Sequence, residues 1–297
     1  MPELPEVEVV RSGLAPAVTG ARIVGLEVFD ERALTRHVGG PADFERRLTG
    51  RSVRAVVRRG KFLWLPLAGS DEAIIAHLGM SGQLLLREPG AAAERHERIR
   101  LSIEHPDHGE LAVVFADQRT FGSLAIDALV STSDGAAGGY GDPLPLVAAQ
   151  AAHIARDPLD PAFRDAEFRA ALARRRSGIK RALLDQNLVS GIGNIYADEA
   201  LWAARVHPEI LASDLSTRAV NRILVEARHV LDKALVEGGT SFDAQYVNVN
   251  GEAGYFAHSL NAYGRGGEPC PRCGAPIARV SFMNRSSHFC PYCQRKR

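Results

Sequence analysis

The amino-acid sequence predicts an α+β chain with several domains: an N-terminal β-sandwich with a leading helix, a helical domain, and a C-terminal β-hairpin that carries four cysteines. Three observations support this fold class. Short apolar stretches recur between turn-forming residues over positions 20–127, which is typical of strands. Beyond position 150 the apolar residues follow the helical period. All four cysteines lie in the last 28 residues, as two pairs.

The length of the chain predicts more than one domain. A chain of 297 residues is long for one compact core, because domains cluster near roughly 100–150 residues. Positions 131–145 are rich in Ser, Gly and Pro, which disfavours both helix and strand and predicts a linker. The predicted limits are 1–130 for the β-sandwich domain, 131–150 for the linker, 151–266 for the helical domain and 267–297 for the cysteine-bearing finger.

Composition excludes several classes of protein. Apolar residues make up 45% and charged residues 24% of the chain, which excludes a disordered chain, a coiled-coil rod and a collagen-like repeat. The longest nearly apolar run, 62–69, is far shorter than the ~18–20 residues of a membrane helix. The first six residues include two glutamates and no basic residue, and no apolar segment follows them, unlike a signal peptide. We therefore expect a cytoplasmic protein without a membrane-spanning helix.

The net charge of +1 hides an uneven distribution of charge. Residues 1–150 carry 16 Lys and Arg against 20 Asp and Glu, whereas residues 151–297 carry 20 against 15. From position 267 onward, six basic residues accompany one acid, Glu268. A small basic module of this kind is suited to a polyanion such as a nucleic acid, although a solvated tail would give the same count.

The first element is predicted to be a short helix. Pro2 and Pro5 favour the first turn of a helix, and Glu3 and Glu6 complement the positive end of its dipole. Its predicted apolar stripe comprises Val7, Val10, Leu14 and Val18. The same residues allow a second interpretation. Loss of Met1 would leave the secondary amine of Pro2 beside two carboxylates at the positive end of a helix, which makes it a candidate nucleophile.

Antiparallel strands are predicted to follow this helix. In the segment 98–104, Ile99, Leu101 and Ile103 alternate with polar residues, so one face is predicted to be buried. Turn-forming clusters such as 39–41 separate the apolar stretches. Further strands are predicted within 22–29, 53–65, 74–86, 111–115 and 121–127. A sandwich or a barrel is the economical arrangement of so many short strands.

The second half of the chain is predicted to be helical because it is rich in Ala, Leu, Arg and Glu at helical spacing. The predicted helices are 163–176, 179–187, 194–205 and 216–237. The last of them ends at Gly238 and Gly239, a suitable pair for a helix C-terminus.

A glycine-bearing turn, 188–193, leads directly into the third of these helices. Backbone N–H groups at such a helix start attract phosphate. No predicted strand precedes the turn, which excludes a dinucleotide-binding fold. Two roles remain open for Asn194 at this helix start: capping the helix, or contacting a nucleic-acid backbone.

The four cysteines predict a metal site. Cys270, Cys273, Cys290 and Cys293 form the pattern C-x2-C-x16-C-x2-C. Two residues between paired cysteines let both thiolates reach one tetrahedral ion, and the intervening segment is long enough for a β-hairpin. We predict one structural Zn²⁺. Two disulfides are disfavoured in a reducing cytosol, and a redox role is disfavoured because no thioredoxin-like pattern surrounds the pairs.

The segment between the cysteine pairs contains Arg285 and His288. Metal binding would supply most of the folding free energy of so small a unit, on the order of 10 kcal/mol or more. The folded finger would hold Arg285 in a fixed position, where its planar guanidinium is suited to phosphate. His288 is predicted to be a surface residue, because four thiolates already complete the coordination of the metal.

Five segments together resemble one known family. They are Met-Pro-Glu-Leu-Pro-Glu-Val-Glu (1–8), Arg-Arg-Gly-Lys (58–61), His-Leu-Gly-Met-Ser-Gly (77–82), Gly-Ile-Gly-Asn-Ile-Tyr-Ala-Asp-Glu (191–199) and the terminal four-cysteine finger. In this order they closely resemble the formamidopyrimidine-DNA glycosylases (Fpg, MutM) of the Fpg/Nei superfamily, from residue 1 to about residue 294. The endonuclease VIII branch typically begins Met-Pro-Glu-Gly, so Leu4 favours the formamidopyrimidine branch.

The resemblance implies a helix-two-turn-helix architecture for the helical domain and a monomer that acts on damaged double-stranded DNA. It implies a bifunctional glycosylase and AP lyase that excises oxidised purines, 8-oxoguanine opposite cytosine and formamidopyrimidines foremost, and cleaves the strand by β,δ-elimination. A catalytically silent DNA-binding protein is the rival from another class. The presence of Pro2, Glu3 and Lys61 disfavours that rival.

The resemblance also implies the residues of the site. Pro2 matches the nucleophile that attacks C1′ of the damaged nucleotide and forms a Schiff base, and Glu3 matches the acid that assists opening of the sugar ring. Lys61 and Arg285 match phosphate grips near the lesion and complete the predicted catalytic set. The predicted DNA-binding set is Glu6, His77, Met80, His96, Arg119, Phe121, Lys180, Asn194 and Tyr255.

Within that set, Met80, Arg119 and Phe121 match the three residues that fill the gap left by a flipped-out base. An apolar wedge and a donor to the orphaned cytosine lower the cost of extrusion. Without the resemblance, Met80 and Phe121 would more commonly be core residues. The segment 248–259, with Gly251 and Tyr255, matches the loop that covers the flipped base.

Overall fold

The computed structural model describes residues 2–93, 95–240, 249–250 and 254–296. The chain divides into two compact units. The first comprises Met1–His153 and Gly238–Gly254, and the second comprises Ile154–Glu237 and Tyr255–Arg297. The four predicted domain limits stay a prediction. Within the described ranges, no helix is both long and apolar enough to cross a membrane.

The first unit begins with helix α1, Leu4–Val18, and continues through nine strands and one further α-helix in its described part. In chain order these are β1 (Arg22–Val28), α2 (Gly40–Leu48), β2 (Val57–Arg59), β3 (Phe62–Pro66), β4 (Glu72–His77), β5 (Gly82–Arg87), β6 (Glu97–His105), β7 (Gly109–Asp117), β8 (Ser123–Ser131) and β9 (Leu146–Ala148). Antiparallel pairing gives a four-stranded sheet, β1-β6-β7-β5, and a five-stranded sheet, β2-β3-β4-β8-β9.

The core of this unit lies between the two sheets and α1. Ile99, Leu101 and Ile103 are buried on one face of β6, as their alternation predicts, and pack in one cluster with Leu63 and Ile74 of the other sheet. The apolar stripe of α1 joins the same cluster, with Val7, Val10, Leu14 and Val18 all buried. The predicted β-sandwich with a leading helix is therefore confirmed.

Helix α2 is a departure from the sequence-based expectation. Residues 39–41, predicted as a turn between strands, begin this helix instead. Gly39 is the N-cap at φ 116°, and Pro41 lies in the first turn, where its fixed φ suits a helix. The helix is stabilised by Phe44 and Leu48, which are fully buried in the core.

The predicted linker, 131–150, contains more regular structure than its composition suggests. Strand β9 pairs with β8, and Tyr140 exchanges two backbone hydrogen bonds with Arg58 of β2 (2.8 and 2.9 Å). The segment therefore belongs to the first unit, which includes the chain from Met1 to His153. A strand of three residues is too short for its periodicity to be visible in the sequence.

The second unit contains four α-helices and one β-hairpin in its described part. These are α3 (Asp165–Leu172), α4 (Ile179–Leu183), α5 (Asn194–Ala203), α6 (Thr217–Val236), β10 (Ala278–Phe282) and β11 (Arg285–Phe289). Each helix lies at a predicted position, although all four are shorter than predicted, α3 and α4 most of all. Gly238 and Gly239 follow α6 with φ of 75° and 78°, as expected for residues that end a helix.

The hairpin of the second unit turns through two residues, Met283 and Asn284, between the paired residues Phe282 and Arg285. Both turn residues have positive φ, 42° and 49°, which is the conformation that a tight hairpin requires. Asparagine tolerates this conformation better than most residues. The predicted C-terminal hairpin is therefore confirmed, with Arg285 directly after its turn.

Candidate functional site

The start of α1 brings together Pro2, Glu3 and Glu6. Pro2 is buried directly before the helix, and Glu3 is the N-cap residue. Glu6 lies in the first turn, and its Oε2 accepts a hydrogen bond from the backbone N–H of Glu3 (2.8 Å). All three residues are buried. The Glu6 carboxylate therefore fixes the backbone next to the candidate nucleophile; Met1 lies outside the described residues.

Glu6 also anchors a distant segment of the first unit. Its Oε1 accepts hydrogen bonds from the backbone N–H (2.8 Å) and the hydroxyl (2.9 Å) of Thr240. Gly239 has a φ of 78°, and a Cβ there would lie 3.1 Å from the same Oε1, so this position favours glycine. With bonds to both Glu3 and Thr240, the Glu6 side chain is suited to holding the helix start in place.

Lys61 lies in the turn between β2 and β3, after Gly60, whose φ of 58° favours glycine. Arg58 is buried behind this turn. Its Nε donates to Oε2 of Glu8 (2.8 Å), and its Nη1 donates to the carbonyl of Gly60 (3.2 Å). One guanidinium therefore links α1 to the turn that carries Lys61. Sequence reasoning missed this link, although Arg58 and Glu8 both lie within the motifs.

Met80, Arg119 and Phe121 lie on two loops of the first unit, one after β4 and one after β7. Met80 is 45% exposed and Phe121 is 62% exposed, and Arg119 is exposed as well. Nη1 of Arg119 lies 3.9 Å from Sδ of Met80. Side chains exposed to this extent contribute little to a core, so the alternative that Met80 and Phe121 are core residues is wrong.

Two histidines of the predicted DNA-binding set flank these loops. Burial lowers the pKa of His77, and the positive charge of Arg36 lowers it further. A hydrogen bond with the backbone of Phe121 raises the pKa, but the net shift is downward. The imidazole is therefore neutral near pH 7. His96 has a φ of 66°, and its carbonyl accepts a hydrogen bond from the N–H of Asp117 (2.9 Å). That either histidine contacts DNA stays a prediction.

In the second unit, Asn194 is the first residue of α5, and Gly193 is the N-cap. Of the two roles left open for Asn194, capping of the helix is therefore wrong. Its Nδ2 donates instead to the carbonyl of Ser286 in the finger hairpin (3.0 Å). Its Oδ1 is buried and makes no hydrogen bond within the described part of the chain.

Lys180 departs most from the expectation. Its side chain is 0% exposed, and its Nζ lies 2.6 Å from Oδ1 of Asp198 and 3.3 Å from the carbonyl of Ser286. The ammonium also lies 4.7 Å from the ring centroid of Phe282. A phosphate contact requires an accessible ammonium, and this one is enclosed, so the geometry favours an indirect role through Ser286; that Lys180 contributes to DNA binding stays a prediction. Because Asp198 neutralises the charge, the lysine can remain ionised in the interior.

Asp198 and Glu199, consecutive on α5, hold the finger hairpin and the segment 261–263 that precedes the finger. Asp198 accepts hydrogen bonds from Oγ of Ser287 (3.2 Å) and the N–H of His288 (2.9 Å). Glu199 accepts hydrogen bonds of 2.8 to 3.1 Å from the N–H groups of Asn261, Ala262 and Tyr263. The bonds with Asp198 draw His288 inside, where it is 6% exposed. The expectation that His288 is a surface residue is therefore wrong.

The four cysteines form one compact cluster. Their Sγ atoms all lie within 4.8 Å of one another, and all four cysteines are free of disulfides. The indole N–H of Trp202 donates to Sγ of Cys270, and the N–H of Cys293 donates to Sγ of Cys290, both at 3.4 Å. Such bonds orient thiolate ligands and tune a metal. Four sulfurs are a donor set typical of structural zinc, so these residues fit one zinc ion.

The remaining two predicted residues are exposed. Arg285 is exposed at the start of β11. Tyr255, in the second half of the predicted loop 248–259, is exposed as well. Residues 248 and 251–253 of that loop, with Gly251 among them, lie outside the described residues.

Three family models match the chain. The model "Formamidopyrimidine-DNA glycosylase N-terminal domain" matches residues 1–124, "Formamidopyrimidine-DNA glycosylase H2TH domain" matches 154–245, and "Zinc finger found in FPG and IleRS" matches 267–295. The last range contains all four cysteines.

Curated relatives match over nearly the whole chain. A formamidopyrimidine-DNA glycosylase of Leifsonia xyli subsp. xyli is 66% identical over 296 residues, which cover 99% of this chain and 100% of the relative. The chain belongs to the formamidopyrimidine-DNA glycosylase family. A second family member, from Nocardioides sp., is 56% identical over 99% of this chain and 94% of its own.

Solved structures of formamidopyrimidine-DNA glycosylases share the fold. Lactococcus lactis Fpg in complex with an abasic site containing DNA has a TM-score of 0.81 and 30% identity, over 99% of this chain and 100% of that chain. The same protein with a FAPY-dG containing DNA has a TM-score of 0.80 and 30% identity, with the same coverage. The predicted helix-two-turn-helix architecture and zinc finger are thus confirmed for this family member.

Proposed function

We propose that this chain is a bifunctional DNA glycosylase and AP lyase that excises oxidised purines from duplex DNA, 8-oxoguanine opposite cytosine and formamidopyrimidines foremost. The observation that carries the proposal is the buried Pro2-Glu3 pair at the start of α1, fixed by Glu6. Membership of the glycosylase family supports removal of a base. The complexes of the Lactococcus lactis protein with FAPY-dG and abasic DNA support the substrate class.

In the proposed reaction, Met1 has been removed, and the Pro2 nitrogen attacks C1′ with its lone pair. The damaged base leaves with the electrons of the glycosidic bond and takes up a proton, while the nitrogen loses its own proton. The C1′–O4′ bond then breaks, Glu3 gives a proton to O4′, and the nitrogen forms the iminium of a Schiff base. Loss of a C2′ proton expels the 3′ phosphate, and a second elimination expels the 5′ phosphate.

The remaining site residues would hold the DNA. We assign phosphate contacts near the lesion to Lys61 on its tight turn and to Arg285 on the finger hairpin. A zinc ion bound by the four cysteines would supply the folding free energy that keeps Arg285 in position. The partner would be damaged double-stranded DNA in the cytoplasm, and a monomer would suffice, because the proposed catalytic and DNA-binding residues all lie on one chain.

Borohydride trapping tests this function. Borohydride added during the reaction with an 8-oxoguanine duplex should reduce the Schiff base and join protein to DNA at the N-terminal proline. A tag that retains residues before Pro2 turns its nitrogen into an amide, whose delocalised lone pair is not nucleophilic. That tag should abolish trapping and strand cleavage, whereas a C-terminal tag, the matched control, should not. A cross-link that maps to Lys61 would contradict the mechanism.

A second experiment separates the rivals. Glu3→Gln should bind lesion DNA yet fail to open the sugar ring, and so form no Schiff base and cut no strand, because the amide keeps the volume of the carboxyl group but not its proton. A catalytically silent DNA-binding protein would leave abasic duplex uncut. An enzyme of the endonuclease VIII branch would cleave a thymine glycol duplex faster than an 8-oxoguanine duplex.

A further inference from the structure

The carboxylate of Asp117 joins two loops of the first unit. Asp117 is the last residue of β7 and is 1% exposed. Its Oδ1 accepts hydrogen bonds from Oγ of Ser81 (2.5 Å) and from the N–H of Arg119 (3.1 Å). Its Oδ2 accepts a hydrogen bond from the N–H of Gly122 (2.7 Å). Ser81 belongs to the loop after β4 and the other two donors to the loop after β7, so one side chain links both loops.

The Ser81 hydroxyl closes this arrangement. Its oxygen accepts a hydrogen bond from the N–H of Arg119 (3.2 Å) while its proton goes to Asp117. The N–H of Arg119 is thus shared between the two side chains. Ser81 therefore links the loop after β4 to the loop after β7 in two ways, through the Asp117 carboxylate and through the N–H of Arg119.

The backbones of the two loops also touch, which fixes their separation. A Cβ on Gly79 would lie 2.6 Å from both the nitrogen of Gly122 and the carbonyl carbon of Phe121. A Cβ on Gly122 would lie 2.7 Å from the carbonyl oxygen of His77. Real Cβ contacts are not this short, so the loops approach as closely as two glycines permit. The position of one loop relative to the other then depends on the polar groups that join them.

The bonded groups lie next to the three exposed side chains of the predicted wedge. Met80 directly precedes Ser81, Arg119 supplies its own N–H, and Phe121 directly precedes Gly122. The carboxylate itself is closed to solvent and cannot reach a base pair. It can act on DNA only by setting where these three side chains point.

We propose that Asp117 is a positioning residue: it holds the loops of Met80, Arg119 and Phe121 in register, and thereby sets how the space of an extruded base is filled and how the opposite base is recognised. This inference rests on the proposed function, because it concerns extrusion of a damaged base. An extruded base leaves a hole in the stack, and a wedge lowers the cost only where its parts reach the hole together.

Two substitutions test the hydrogen bonds that join the two loops. Asp117→Asn preserves the volume but exchanges one acceptor oxygen for an NH₂ group, which faces N–H or O–H donors on either side. At least one bond to the loop after β7 is therefore lost whichever way the amide is turned, either that of the Gly122 N–H or that of the Arg119 N–H, whereas the Ser81 hydroxyl can rotate to accept. Ser81→Ala removes only the link to the loop of Met80 and leaves the bonds to Arg119 and Gly122 in place. The second variant is the milder test, should the first be poorly stable.

The experiment measures single-turnover base excision by the full-length, zinc-loaded protein on duplexes with 8-oxoguanine opposite cytosine or opposite adenine. Cleavage of a preformed abasic duplex is measured in parallel, because that substrate has no base to extrude. We expect Asp117→Asn to lose about tenfold or more in excision opposite cytosine and to discriminate less between the two opposite bases. Abasic cleavage should fall much less. Ser81→Ala should change in the same direction.

Asp127→Asn is the matched control. Asp127 lies on β8 of the same unit, and its Oδ2 accepts a hydrogen bond from the N–H of Gln150 (2.7 Å), away from both loops. This variant should keep the wild-type ratio of excision to abasic cleavage.

Two outcomes would overturn the inference. One is that both loop variants keep the wild-type excision rate and opposite-base preference. The other is that they lose excision and abasic cleavage in equal proportion, which would assign Asp117 to the fold alone. If the wild-type protein excises neither 8-oxoguanine nor a formamidopyrimidine, the proposed function has failed, and the inference fails with it.

Discussion

Lys180 and Asp198 form an ion pair of 2.6 Å in which neither side chain is open to solvent. The pair lies under the finger hairpin of the second unit. Lys180 and Asn194 both donate to the carbonyl of Ser286, and Asp198 receives two donors from the next two residues. Since Ser286 directly follows Arg285, the buried pair fixes the backbone beside the proposed phosphate contact. Lys180 is thus suited to act on DNA through the hairpin, not by direct contact.

The first prediction concerns this ion pair. Asp198→Asn leaves the ammonium of Lys180 buried without a counter-charge, which should cost about 3–5 kcal/mol of unfolding free energy. A double variant, Lys180→Met with Asp198→Asn, should recover most of that loss, because it buries no charge and keeps an acceptor for Ser287 and His288. Urea unfolding of the zinc-loaded protein measures both effects.

The exposed pair of Lys296 and Glu209 provides the control for that measurement. Lys296→Met should cost at most about 1 kcal/mol, as is usual for ion pairs at the surface. If the unfolding free energies of Asp198→Asn and Lys296→Met agreed within error, the buried pair would contribute no more to stability than the surface pair.

The second prediction concerns phosphate contacts. Lys61→Ala and Arg285→Ala should each reduce the slope of log K against log salt by about one, because each removes one neutralised phosphate. The double variant of Lys180 and Asp198 should leave the slope unchanged, since neither side chain is open to solvent in this structure. Fluorescence anisotropy with a lesion duplex between about 50 and 200 mM salt measures the slopes. A slope lowered equally in the double variant would restore Lys180 as a direct contact.

The third prediction concerns the metal. Chelation of zinc, or Cys270→Ser, should unfold the finger and weaken DNA binding strongly, while the β-sandwich of the first unit stays folded. Circular dichroism and DNA binding are measured on the same samples. Arg285→Ala is the matched control, because it should lose affinity while it retains zinc. Metal analysis that finds far less than one zinc per chain in active protein would contradict the assignment.

The fourth prediction concerns His77 and pH. Burial keeps the pKa of His77 below the ordinary value of 6.5. As the pH falls, His77 therefore binds a proton in the unfolded chain at a higher pH than in the folded protein. Stability should therefore fall as the pH drops through about 6.5, and the loss should be complete below the folded pKa. The fall in Tm between about pH 7.5 and pH 5.5 should be smaller for His77→Gln than for the wild type. His229→Gln, on the exposed side of α6, should retain the wild-type fall.

The sequence predicted most elements of this fold because their signals are local. The alternation of Ile99, Leu101 and Ile103 identified a strand face, and the cysteine spacing identified the finger. Helix α2 was missed, because Gly-Gly-Pro occurs equally at a turn and at a helix start. Its assignment required the burial of Phe44 and Leu48, which depends on the tertiary core.

The supporting residues of the site could not be predicted in the same way. Asp117 bonds to Ser81, which lies 36 residues away in the chain, and to loop N–H groups that leave no periodic pattern. Lys180 lies on a short helix where a lysine is normally exposed, and its burial follows only from Asp198 on another helix. Contacts of this kind join separate elements, so a motif can contain the residues without revealing what they touch.

Trp202 gives the finger an optical signal of its own. Its indole donates to the sulfur of Cys270, and the only other tryptophan of the chain, Trp64, is fully buried in the first unit. An electron-rich thiolate quenches an excited indole by electron transfer, and a bound metal withdraws that electron density. Emission from Trp202 can therefore follow the occupancy of the four-cysteine cluster in unlabelled protein, against a constant background from Trp64.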